Sequence, residues 1–159
     1  MRSLVLGVGN PMMSDDGVGL RVLEALSRQQ PALDDVDYLD AGTLSLLLLP
    51  RFEHCDALLV LDAAQLGGAP GDLRELHGAD MDAFFRNARG SVHEVGIRDL
   101  LDAARLTSTL PSRRAFVGVQ PQRVAIGSSL SPSLHASIAP AAAHARAIPE
   151  AWQSDAHSD

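Results

Sequence analysis

The sequence predicts an α/β fold of three layers, with a twisted, mostly parallel central sheet and helices on both faces. Three observations predict it. Strand-like apolar runs alternate with helical patterns along the chain, the signature of βα units. Ala57-Leu58-Leu59-Val60-Leu61 is apolar on both faces, as a strand covered by helices on each side must be. A chain of 159 residues with 46% hydrophobic content is large enough to bury one sizeable core.

The elements follow in order. Arg2 to Val8 reads as a buried first strand that runs into the turn Gly7-Val8-Gly9-Asn10-Pro11. Asp16 to Gln29 reads as an amphipathic helix, with Val18, Val22 and Leu26 four residues apart and Leu23 beside them. Ser14 or Asp15 is placed to cap it. Gly17 and Gly19 each cost about 1 kcal/mol relative to alanine inside a helix. Their presence predicts a close approach to that turn, by a ligand or by the sheet.

Val36 to Asp40 is a short second strand, broken by Gly42-Thr43, and a leucine-rich helix follows over Leu44 to Pro50. Ala57 to Leu61 is the third strand. A turn over Gly67 to Gly71 leads to a short polar strand near Asp72 to His77 and a brief helix over Asp80 to Ala88. Gly90 to Glu94 reads as a loop, Gly96 to Leu106 as a helix, Arg114 to Val119 as a strand, and Val124 to Ile126 as an edge strand or extended loop. The last helix is expected over Ser133 to Ala147, with Ser131 as its cap and Pro132 at its first position. The expected organisation is one α/β domain over 1–149 and a disordered polar tail over 150–159.

Composition excludes several function classes. The net charge is −7 and every Lys or Arg is arginine, which argues against nucleic acid or an anionic membrane as partner. The single cysteine, Cys55, cannot form an internal disulfide and reads as a reduced thiol. No segment reads as a signal peptide or a membrane span, so the expected compartment is the cytoplasm. A nucleotide-binding reading of the first turn fails on detail. The third glycine of G-x-G-x-x-G is replaced by Met12, Pro11 removes a backbone N–H, and Asp15-Asp16 would repel a phosphate.

Ligands of such sheets bind outside the carboxyl ends of the strands. The first strand delivers Asp15 and Asp16 to that edge, the second ends in Asp40, and the third ends in Asp62. Carboxylates meeting there repel one another unless a proton, an arginine or a metal ion lies between them. His93 is a candidate nitrogen donor, and two carboxylates with one imidazole suit zinc, nickel, manganese or cobalt. Each residue also has a plain structural role open to it: a first-turn acid for Asp16, a turn or cap for Asp62 and Asp40, a surface position for His93. The other histidines (His54, His77, His135, His144 and His157) show no ligand spacing.

Four pieces in this order resemble the hydrogenase maturation endopeptidases. They are Gly7-Val8-Gly9-Asn10 with Asp15-Asp16-Gly17-Val18-Gly19, then Asp40-Ala41-Gly42-Thr43, Leu61-Asp62-Ala63 and Ser91-Val92-His93. Gly118-Val119-Gln120-Pro121 and Leu130-Ser131-Pro132 are similar to the family's closing strand and last helix, so the likeness spans roughly the first 145 residues. Two positions depart from the family pattern: Asp16 stands where some relatives carry the longer glutamate, and Ala41 where a glycine is common.

The resemblance implies a cytoplasmic, monomeric endopeptidase, aspartic-type or metal-assisted. It would remove the C-terminal extension of a nickel–iron hydrogenase large-subunit precursor after nickel insertion. It implies Asp16, Asp62 and His93 as the catalytic and metal-contacting residues, with the nickel carried by the substrate rather than permanently bound. It also implies Asp40, Gly42 and Thr43 as a substrate-sensing segment. The peptide bond would break either through the docked metal, which polarises the carbonyl and activates water, or through Asp16 or Asp62 as general base. The rival from another class is a non-catalytic, nickel-dependent chaperone that binds the same precursor.

Overall fold

The structure, a computed structural model, describes residues 1–42, 46–88 and 92–158. Five strands form one sheet: β1 (Ser3–Val8), β2 (Val36–Gly42), β3 (Ala57–Ala63), β4 (Leu73–His77) and β5 (Arg113–Val119), in the spatial order β2-β1-β3-β5-β4. All neighbours pair in parallel except β4, which runs antiparallel to β5 at the edge.

Side chains alternate across the sheet and divide the core in two. Val5, Leu59 and Val117 face α1 (Val18–Ser27) and α5 (Pro132–Ala156), where they meet Val22, Leu26 and Ala145. Leu4, Leu58, Val60 and Phe116 face the other way. They pack with Phe52 of α2 (Leu49–Phe52), Phe85 of α3 (Gly78–Asn87) and Ile97 of α4 (Val92–Leu106). Every residue of β1 and β3 is buried, which is why these strands carry apolar side chains on both faces.

Several boundaries differ from the sequence reading. Neither Ser14 nor Asp15 caps α1: both lie in a 3-10 turn over Ser14–Gly17, and their side chains bond elsewhere. His93 sits in the first turn of α4 rather than in a loop, because the helix starts at Val92 ahead of Gly96. Val124 to Ile126 forms no strand; this stretch belongs to a strap between β5 and α5 that bridges to the first loop through Met13 and Gly127.

The expected disordered tail is instead the last part of α5, which continues to Ala156. Pro149 removes only one helical N–H, and tertiary contacts outweigh that loss. Trp152 is buried, the Arg113 guanidinium donates to the Trp152 carbonyl at 2.6 Å, and the Gln153 amide donates to the Asp34 carbonyl at 2.5 Å. Among the described residues, no helix is long and apolar enough to cross a membrane.

Candidate active site

The site is built where α1 meets the carboxyl ends of β1 and β3, and two glycines set the approach. Gly9 has φ +143°, and a Cβ there would lie 2.1 Å from the Asp16 carbonyl oxygen. A Cβ on Gly19 would lie 2.4 Å from the Leu61 carbonyl and 2.5 Å from that of Val8. The close approach expected at this turn is therefore that of the sheet itself. It carries Asp16 to the end of β3, where Asp62 stands one residue beyond the Gly7–Leu61 pair.

Asp16, His93 and Asp62 lie in a row. Asp16 Oδ2 accepts the Asn10 N–H at 3.0 Å and lies 3.3 Å from His93 Nε2. His93 Nδ1 lies 3.5 Å from Asp62 Oδ1. That separation makes a charge contact rather than a well-formed hydrogen bond, and neither buried atom has a hydrogen-bond partner among the described residues. Asp62 is 1% exposed and His93 8%. Burial pushes the Asp62 carboxyl up to about 7, with His93 opposing the rise and the Asp16 charge adding to it. Asp62, and then Asp16 and Glu94, hold the His93 imidazole above its ordinary value against the effect of burial.

The imidazole therefore touches the two carboxylates through different nitrogens. Among the described residues, no three acid, histidine or cysteine side chains are arranged to hold a metal ion. The three predicted residues are brought together, as a chain of contacts rather than a formed ligand cage.

Asp15 plays a different part from its neighbour. Its carboxylate is fully buried and accepts four hydrogen bonds: from the backbone of Gln122 (2.9 Å), Arg123 (2.8 Å) and Ser131 (2.6 Å), and from the Ser131 hydroxyl (2.7 Å). Burial raises its pKa, but these donors outweigh burial and hold it below the ordinary 3.8. Asp15 clamps the strap after β5, which leaves Asp16 alone to face His93.

Asp40 is exposed, and its Oδ1 accepts the Gly42 N–H at 2.8 Å, so it closes a turn. The Gly42 carbonyl accepts the Gly9 N–H at 3.1 Å, which puts this segment at the same sheet edge. Thr43 lies outside the described residues, as do residues 44–45, 89–91 and 159.

The sequence reading gave no site role to Glu94 or Gln120, both of which are buried. Glu94, 4% exposed, is a buried acid directly after His93. Gln120, 6% exposed, accepts the Leu66 N–H at 2.6 Å and donates to Gln65 at 2.9 Å, fixing the loop after β3. No local pattern marks either; only burial does. Of the histidines set aside, His77 and His144 both pair with Glu75 on β4. Cys55 is inert, its thiol pushed up to about 11 by burial. Beside the site a groove of about 620 Å³ opens between β4 and α3, lined by Gln65, Arg74, Leu76, Phe84 and Glu94.

A family model described as hydrogenase maturation protease (HycI) matches residues 20–148, which takes in Asp62 and His93 and begins after Asp16. The chain belongs to the hydrogenase maturation protease family. Hydrogenase 2 maturation protease of Escherichia coli is 37% identical over 142 residues, covering 89% of this chain and 86% of that protein. Hydrogenase expression/formation protein HupD of Rhodobacter capsulatus is 37% identical over 152 residues, covering 95% of this chain and 72% of that protein. Among solved structures, the hydrogenase maturating endopeptidase HybD from E. coli superposes with a TM-score of 0.86 at 35% identity, covering 95% of this chain and 94% of that one. The chain is thus a peptidase of this family with the same α/β fold. Its Asp16–His93–Asp62 row, two buried side chains and one half-buried, lies at the sheet edge where ligands of such folds bind.

Proposed function

We propose that this hydrogenase maturation protease removes the C-terminal extension of a nickel–iron hydrogenase large-subunit precursor, acting in the cytoplasm as a monomer once nickel has been inserted. The observation that carries the reading is the Asp16–His93–Asp62 row, with Asp62 Oδ1 and His93 Nδ1 buried and short of partners. Buried polar atoms in native proteins are almost always satisfied. A pair left short is one that an incoming group completes, and carboxylate and imidazole donors suit a divalent transition metal.

In this reading the nickel is part of the substrate. When it docks, metal contacts replace the ring-to-carboxylate contacts at Asp16, His93 and Asp62, and the enzyme thereby senses that insertion is complete. Asp40 and Gly42 lie at the same sheet edge, and in this reading they belong with Thr43 to the substrate-sensing segment. The peptide runs into the groove between β4 and α3, past Gln65 and Glu94. Docked nickel polarises the scissile carbonyl. Asp62, whose carboxyl titrates near neutrality, takes a proton from the attacking water and returns it to the leaving amine. A carboxylate has two oxygens, so Asp62 can contact the metal through one and hold the proton on the other.

The test incubates the protein with nickel-loaded and nickel-free precursor and reads intact mass. Loss of a C-terminal peptide from the loaded form alone is the expected result. A stable complex of unchanged mass would replace the protease reading by the chaperone one.

A further inference from the structure

We infer that the strap between β5 and α5, with the adjoining first loop, is a rigid apolar docking rim for the folded body of the nickel-bearing precursor; this rests on the function proposed above. The large hydrophobic side chains exposed among the described residues are not scattered. Met12, Leu46, Leu47, Val95, Val124 and Ile126 all lie on segments at the carboxyl edge of the sheet, around the Asp16–His93–Asp62 row, and only Leu106 lies elsewhere. Leu106 ends α4, at the opposite edge.

Three of these side chains share one frame. Met12 is 63% exposed, Val124 50% and Ile126 88%. Gly127 N–H donates to the Met12 carbonyl at 2.9 Å, and Ser14 N–H donates to the Gly127 carbonyl at 2.8 Å. The Ser14 hydroxyl donates to the Ala125 carbonyl at 2.8 Å, and Asp15 N–H donates to the Arg123 carbonyl at 3.2 Å. The buried Asp15 carboxylate then fastens Gln122, Arg123 and Ser131 from beneath. Apolar side chains on such a frame are held out in water rather than folded back onto the core. Anchors that lose little freedom on binding are what interface hot spots consist of.

The occupant follows from continuity with the site. Asp15, which fastens the strap, is bonded in sequence to Asp16, and Met12 stands two residues from Asn10, whose N–H holds Asp16. The strap leads into α5, on the α1–α5 side of the sheet, whereas the groove given to the peptide lies on the α3–α4 side. A substrate whose tail fills the groove and whose metal meets the aspartates therefore lays its folded surface over the strap. That surface must be apolar where it meets Met12, Val124 and Ile126.

The experiment measures binding and cleavage of nickel-loaded precursor by the wild type, by the double variant Val124→Asp/Ile126→Asp, and by Leu106→Asp as a control at the far edge. Melting temperature is recorded for each. The expected result is a KM raised about tenfold or more for the double variant, with kcat within about twofold and melting unchanged, while Leu106→Asp matches the wild type. An unchanged KM in the double variant, with the wild type cutting normally, overturns the docking rim and leaves the proposed function standing. A wild type that neither binds nor cuts overturns the function, and the rim's occupant with it. A wild type that self-associates in sedimentation, with only the double variant monomeric and KM unchanged, makes the rim a contact between copies of this chain and also overturns the inference.

Discussion

Asp15 and Asp62 are both buried carboxylates at the same edge of the sheet, and their surroundings push them in opposite directions. Asp15 accepts four hydrogen bonds that more than offset its burial, so its charge fastens a strap. Among the described residues Asp62 keeps one oxygen without a hydrogen-bond partner beside an imidazole nitrogen that also lacks one, so its charge remains costly. The first arrangement uses a buried charge to hold the backbone. The second leaves a buried charge without such a set of donors, and in the proposed function that cost is what the incoming group relieves. Two acids of equal chemistry are thus set apart by three backbone N–H donors and one hydroxyl that reach Asp15 and not Asp62.

The largest expected effect comes from removing the available charge. Asp62→Asn is expected to lower the cleavage rate by about 10²–10⁴-fold, with a melting temperature unchanged or raised, because a desolvated charge is lost along with the proton acceptor. Intact-mass kinetics and calorimetry together check this, and a variant that unfolds instead would erase the distinction between the two aspartates.

Asp15→Ala should do the reverse. It strands four donors and is expected to cost about 2–4 kcal/mol in denaturant unfolding, with activity falling only as far as the strap and Asp16 move. Equal stability of the variant and the wild type would remove the clamp from the account.

Gly19→Ala is expected to cost about 1–3 kcal/mol, because its Cβ meets two carbonyl oxygens that cannot yield cheaply. Its melting loss should be accompanied by a drop in kcat, since moving α1 shifts the preceding turn that carries Asp16.

The smallest effect is the pH dependence, which separates the two acids by sign. Asp15 is depressed below 3.8, so its stabilisation is present above that value and is lost as pH falls through its lower folded value. Asp62 is raised to about 7, so the folded state binds the extra proton between about 4 and 7 and stability declines as pH rises across that window. His93, raised above 6.5, acts in the same direction as Asp62: its contribution is full below 6.5 and is lost as pH rises through its folded value. Unfolding measured against pH should lose its acid limb in Asp15→Asn and flatten near neutrality in Asp62→Asn.

Much of this was legible in the residues. The doubly apolar run at Ala57 to Leu61 fixed a central strand, and the four-residue spacing of Val18, Val22 and Leu26 fixed the helix that follows β1. The carboxylates at strand ends pointed to one edge because parallel sheets expose their ligand sites there. Asp16 and Asp62 were therefore visible as types and positions, and His93 as a nitrogen donor in a motif. The tail reads as disordered from its polarity alone, since the burial of Trp152 against a distant part of the chain leaves no local mark.

The sequence by itself determined the layers, the mostly parallel sheet and which acids reach the carboxyl edge, because periodicity and turn chemistry act over a few residues. Only the tertiary structure decided that Asp15 is clamped and Asp62 is not. The donors that make the difference come from residues 122–131, more than a hundred positions from Asp15, and the imidazole that separates Asp16 from Asp62 comes from the first turn of α4. A carboxylate's role depends on what surrounds it in space, and those surroundings exist only once the strap and α4 have packed against the ends of β1 and β3.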